Sequence, residues 1–475
     1  MVVNRVRRLA SLAAAVAFAA SACAGQGGTT TAPTAPTAAP SVGGSATGAQ
    51  AFDWKRYSGT KITFLADVAP WTDGMKSLLD QFTQETGITV DVQAYSEDLY
   101  MDKQEQVVRA PTGTADAYFL SMDSIAFSQY NAGAIEPLTG YLNDPTKTAS
   151  DYNLADFPAG FLVPGTFPAG NTSAKLYGIP ITFETYIVFY NKDLVQKYLG
   201  GKLPTTMDEL TADAAQITKA GAKDGVYGSV VRGIRSGLVT PEMQGVITDS
   251  WGSTPNPQPY NIWYDGAWDK PILTNTAICQ GMTNWAKLLD AGPPNKYSID
   301  WPDAVTLFSQ GTVAFYVDAS LFGPTFEDAS TSRVAGKVGY MQLPTANAEG
   351  KSFTTFWEWG LGIPSNAKNK DAAWYFIQWM TNATNAAKIG AYTGGATRLS
   401  AYSDPAYTSK LVPEYVTAVQ GAMATARTTV VMKDGWDANA ALTIDDGMLA
   451  ISNGGDPTAS CAAANAALLE ASKPY

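Results

Sequence analysis

At 475 residues the chain is too long for one core, so two domains are the first expectation. Basic residues number 32 against 43 acidic, a net charge of −11, which argues against a nucleic-acid partner and against electrostatic attachment to a membrane. Histidine is absent, which rules out Ser-His-Asp and Cys-His nucleophile schemes and removes the commonest zinc ligand, so no metal and no cofactor are expected.

Residues 1–22 read as a bacterial signal peptide. Arg5, Arg7 and Arg8 form its basic start, and Leu9 to Ala20 is an apolar, alanine-rich run too short to span a membrane. Ser21-Ala22-Cys23-Ala24 resembles the lipobox of bacterial lipoproteins, with Cys23 taking the lipid and Ala20 standing where leucine is usual. The alternative is plain cleavage and secretion. Residues 23–51 are then a lipidated cysteine and a linker of Gly, Ala, Thr, Pro and Ser, with too little apolar content to offset chain entropy. The implied location is the extracytoplasmic face of the cell membrane.

Folding is expected to begin near Phe52. Lys61–Ala66 is a first strand, followed by a loop from Asp67 to Asp73 that carries Trp71. Met75, Leu78, Leu79 and Phe82 are spaced for a helix that Gly87 terminates, and Ile88, Val90 and Val92 alternate as a second strand. A strand ending near Leu120 leaves Asp123 just past its end, where open α/β sheets place ligand groups. Ile187 to Tyr190 is strand-like, with Glu184 and Tyr186 before it. Thr206 and Glu209 have capping-box spacing, a structural feature.

A strand from Tyr227 delivers Arg232, whose fork binds hydroxyls or carboxylates or forms a surface ion pair. Trp251 follows. Pro302 suits the first turn of a helix that Gly311 closes, and the strand from Thr312 brings Asp318 to its end. In the strand from Phe353, Trp357, Trp359, Leu361 and Ile363 share one face and Glu358 points the other way. Asn369 caps a helix with Ala373, Phe376, Ile377 and Met380 as its buried stripe. Arg398 and Trp436 lie in later segments, and Cys279 and Cys461, both at candidate helix starts, are able to pair outside the cytoplasm.

Several of these segments, in order along the chain, resemble the bacterial extracellular solute-binding proteins of the carbohydrate-transporter type, family 1. They are the ETGI turn at Glu85–Ile88, the GAIEPL run at Gly133–Leu138, LYGIPITFETYIVFYNKD from Leu176, TVAFYVDAS from Thr312 and GIPSNAKNKDAAWYFIQWM from Gly362. The turn TGGATRLS, which holds Arg398, is similar to one in sugar- and polyol-binding relatives.

The resemblance implies an α/β, two-lobed periplasmic-binding-protein type II fold with hinge-crossing strands. Lobe 1 would be 52–183 plus 358–397, and lobe 2 would be 187–355 plus 400–475. The ligand would be a sugar or sugar alcohol, captured by lobe closure and delivered to an ABC permease driven by a separate ATPase. The protein would be a monomer and no enzyme. Trp71, Trp251, Trp357, Trp359 and Trp436 would offer ring faces. Asp123, Glu184, Asp318 and Glu358, with Tyr186 and Arg232, would hold hydroxyls, and Arg398 either reaches the ligand or clamps the lobes. The alternative class is a secreted glycoside hydrolase that pairs Glu184 with Glu358 or Asp318 as acid and base. A third is a binder of iron or an anion through tyrosines and Arg232.

Overall fold

The computed structural model describes residues 51–473 apart from 238, 254–261, 266, 429–432 and 434–435. The expected leader, Cys23 and linker therefore lie outside the described residues. Strand β1 (Lys61–Asp67) pairs in parallel with β2 (Thr89–Tyr95), Lys61 opposite Thr89 and Asp67 opposite Tyr95. The single helix expected between them is two, Pro70–Lys76 and Leu79–Thr86. The Ser77 hydroxyl donates to the Gly74 carbonyl at 2.7 Å, a local bond that competes with the helical ladder at the break. Gly87 closes the second helix in the left-handed region, at φ 72°.

β3 (Ala117–Ser121) lies on the other side of β1. β4 (Thr166–Phe167) and β5 (Lys175–Leu176) form a separate two-stranded sheet. β6 (Ile179–Asn191), β7 (Tyr227–Val230), β8 (Val313–Ala319), β9 (Val338–Met341), β10 (Thr354–Gly362) and β11 (Ala426–Thr428) complete the strands. The main sheet runs β2-β1-β3-β10-β6-β8-β7, with β11 also on β10 and β9 also on β6.

β6 organises the molecule. Its first half, Ile179–Thr185, pairs antiparallel with β10, and its second half, from Tyr186, pairs with β8 and then β9. All thirteen residues are buried, so the strand shows no alternation of apolar and polar side chains. That is why the sequence pattern exposes only Ile187 to Tyr190.

The helices divide their apolar faces between two clusters. Phe64, Phe119, Phe376 and Trp379 belong to one, and Leu210, Met243, Met282 and Trp285 to the other. Helix Lys370–Met380 buries every residue from Ala372 to Met380, more than the predicted stripe. Asn369 precedes it without capping it; its side chain turns instead to the Asp116 carboxylate, 3.3 Å away. At helix Met207–Gly221 Thr206 does cap, accepting from the Glu209 amide at 3.2 Å. Cys279, on helix Thr276–Asp290, and Cys461, on helix Pro457–Ala471, form a disulfide with Cα atoms 5.9 Å apart. Helix Thr240–Trp251 crosses over Tyr186 so closely that a Cβ on Gly245 would lie 2.9 Å from the ring. Only glycine permits this approach, and it holds Glu242 beside the end of β7.

Candidate ligand-binding site

A cavity opens where the two halves of β6 meet. The end of β1 gives it Asp67, and the helix that follows gives Trp71. Helix Glu97–Arg109 gives Glu97 and Met101, β6 gives Glu184, and the segment after β7 gives Arg232. Pro241 and Glu242 come from helix Thr240–Trp251, Trp301 from helix Trp301–Ser309, Leu321 and Phe322 from the turn after β8, and Trp357 and Trp359 from β10. The walls stand close together. About 500 Å³ is free of protein atoms, part of it continuous with solvent. The space suits one small ligand.

Strand register explains the floor. Trp357 lies opposite Glu184 and Trp359 opposite Thr182, so each pair projects from one face of the sheet. Trp359 stacks on Trp71, centroids 5.5 Å apart and planes at 29°, and Trp301 stacks on Phe322 at 5.5 Å and 17°. Both outer indoles are fixed by their N–H groups: Trp71 donates to Asp67 at 2.8 Å and Trp301 donates to Glu97 at 2.6 Å.

The polar wall centres on Arg232. Its Nε and Nη2 donate to the two Asp318 oxygens at 3.0 and 2.9 Å, and Nη2 also lies 2.9 Å from Glu242. Asp318 further accepts from the Tyr316 hydroxyl at 2.8 Å and from the Ala319 amide at 2.7 Å. Burial alone would disfavour the Arg232 charge, but Asp318 and Glu242 outweigh it and hold the guanidinium ionised. The guanidinium therefore has no surplus charge to offer an anion. Glu184 is only 7 % exposed, and its carboxyl makes no hydrogen bond to another described residue. Burial pushes its carboxyl well above the usual range, with Arg232 opposing and Asp318 adding to the shift. Asp67 is raised by burial first and Glu97 second, and Glu242 by burial against the pull of Arg232.

Of the residues singled out in the sequence, Trp71, Glu184, Arg232, Trp357 and Trp359 meet on the cavity wall. Asp318 stands behind Arg232. Tyr186 follows Glu184 on the same face of β6, its hydroxyl buried without a hydrogen-bond partner.

The other five are not on that wall. Glu358, by strand parity, points away from its flanking tryptophans; its amide donates to Asp123, and neither of its own carboxyl oxygens has a partner. Burial and the nearby Asp123 raise the Glu358 carboxyl strongly, which favours its neutral form. Glu184 and Glu358 thus face opposite sides of the sheet, and Asp318 is locked to Arg232, so neither expected acid–base pair faces a common gap. Trp251 is half-buried at its helix end, and Trp436 stacks on Trp263 at 6.4 Å within the second cluster. Arg398 spends its donors away from the cavity, on the carbonyls of Thr381, Asn153 and Tyr152, with its guanidinium 4.1 Å from the Phe157 ring centre; all four partners lie in the segments assigned to lobe 1, so these contacts do not clamp one lobe to the other.

Sequence reading misses Asp67, Glu97, Glu242, Trp301 and Phe322. One signal was available. Trp71 and Trp301 both occupy the first turn of a helix next to a proline, at Pro70-Trp71 and Trp301-Pro302, and both enter the cavity.

The profile of the bacterial extracellular solute-binding proteins matches residues 68–387. The chain belongs to that family. Among similar proteins, the erythritol/L-threitol-binding protein of Mycolicibacterium smegmatis is 28 % identical over 379 residues, 77 % of this chain and 74 % of that one. The mannitol-binding protein of Pseudomonas aeruginosa is 27 % identical over 297 residues, 59 % of this chain and 62 % of that one. An ABC-transporter solute-binding protein from Agrobacterium vitis S4, solved with bound D-mannitol, superposes with a TM-score of 0.71 at 22 % identity, covering 86 % of this chain and 97 % of that one. This solute-binding protein therefore has the two-lobed α/β architecture of its class, with β6 as the strand that pairs in both parts of the main sheet.

Proposed function

We propose that this solute-binding protein captures a sugar alcohol or small sugar outside the cytoplasm, as the substrate-binding component of an ABC importer, and hands it to a membrane permease and its ATPase. The observation that carries this reading is the cavity itself. Indole faces suit the C–H surface of a polyol, and Asp67, Glu184 and Glu242 supply acceptors for its hydroxyls. A ligand with the wrong hydroxyl pattern leaves buried polar atoms unpaired, at about 1–3 kcal/mol each.

The lobes are proposed at 52–183 plus 358–397 and 187–355 plus 400–475, hinged where β6 passes Glu184. Ligand that touches both walls favours the closed arrangement. The protein acts as a monomer without catalysis, held to the outer face of the membrane by lipid on Cys23. Thermal denaturation with tetritols, pentitols, hexitols and mono- and disaccharides tests the ligand class: a raised melting temperature with a polyol or small sugar supports it. Stability unmoved by the whole panel, or release of reducing ends from an oligosaccharide, would sink it.

A further inference from the structure

Carboxyl groups crowd the cavity wall. Asp67, Glu97, Glu184 and Glu242 face it, against one guanidinium. Arg232 is already matched by Asp318 and Glu242. Asp67 receives the Trp71 indole N–H and the Glu184 carboxyl receives no hydrogen bond, and neither is in an ion pair with a described residue. Glu184 is more than nine-tenths buried, opens into the cavity and stands beside the Trp357 ring by register.

A hydroxyl offers such a group one donor and no charge. A primary ammonium offers three donors and a positive charge that favours the ionised carboxylate beside it, and an indole face attracts it as well. We infer that the cavity takes an amino-bearing polyol, a protonated aminodeoxy alditol, in preference to the neutral alditol, and rejects the matching aldonate. This rests on the polyol reading above and adds the charge of the ligand. Without a cation, burial favours the protonated forms of Asp67 and Glu184; an ammonium beside them reverses that, so its binding releases protons.

D-Mannitol, 1-amino-1-deoxy-D-mannitol and D-mannonate share a carbon frame and differ in charge at neutral pH; erythritol, its 1-amino-1-deoxy derivative and erythronate form a shorter set. Calorimetric titration of the full chain, in two buffers of different ionisation enthalpy, is the test. In at least one set the amine is expected to bind about tenfold more tightly than the neutral compound and to release protons, while the aldonate gives no binding. Glu184→Gln is expected to bring the amine-to-neutral affinity ratio close to one, and Asp67→Asn reads the same ratio should that variant fold poorly. An amine that binds no better than its neutral parent, or an aldonate as tight as the amine, overturns the inference and leaves the polyol reading standing. An unchanged ratio in both variants overturns the role given to these carboxylates. Binding by none of the compounds removes the inference together with the polyol reading.

Discussion

Arg232 is the residue on which the polar half of the cavity depends. Replacing it with methionine keeps much of the volume but leaves Asp318 and Glu242 buried without their cation. Arg232→Met should therefore destabilise the protein by about 3–5 kcal/mol, read as a lower urea midpoint. Trp301 makes a different kind of contribution. Its bond to Glu97 joins side chains 204 residues apart across the cavity, so Trp301→Phe keeps the stack on Phe322 but loses that link. The expected effect is a loss of about 1.5–3 kcal/mol in ligand affinity, measured by calorimetry, with little change in the melting temperature without ligand. Trp357 and Trp359 were legible because they sit in a run whose parity sets their face, and Glu184 because it lies in the segment from Leu176 that resembles the family. Glu97 and Glu242 carried no such signal. Glu97 lies on a helix among other polar residues and Glu242 on a helix of mixed composition, and only tertiary packing turns each toward the cavity.

At the scale of elements, the disulfide joins two helices that contribute nothing to the cavity wall. Its loop is long, the cysteines being 182 positions apart in sequence, so the entropy model gives up to about 5 kcal/mol of stabilisation. Cys279→Ser with Cys461→Ser should lower the unfolding free energy by an amount within that bound and leave ligand affinity unchanged. Changed affinity with unchanged stability would contradict this separation of roles. The strands were legible where one face differs from the other, as in β2, and illegible where both faces are covered, as in the first half of β6, whose Pro180 and Glu184 also read against a strand. The helix break at Ser77 turned on one side-chain hydrogen bond, which spacing of apolar residues does not encode.

Over the whole molecule, buried carboxyl groups set the response to pH. Asp249 and Asp445 are each raised from 3.8 to about 7, chiefly by burial, against which two backbone amides apiece pull only part of the way. In the folded state both hold protons that the unfolded chain gives up near 4, so their stabilising effect is full at low pH and is lost as pH rises through 7. Glu414 is lowered and acts in the opposite sense, but it is partly exposed and its effect is screened. The melting temperature should therefore be higher near pH 5.5 than near pH 8, by at least about 2 °C in scanning calorimetry. A rise over the same interval would mean these carboxyl groups are ionised when folded.

The strand that completes the sheet is drawn from residues 354–362, yet it lies between β3 and β6, both made far earlier. Until it arrives, β3 and the first half of β6 lack the partner that β10 supplies along those edges. Assembly must wait for contacts between distant parts of the chain, which form slowly. The β2-β1-β3 and β6-β8-β7 parts of the sheet can each pair before residue 354 is made, and only its arrival joins them into one.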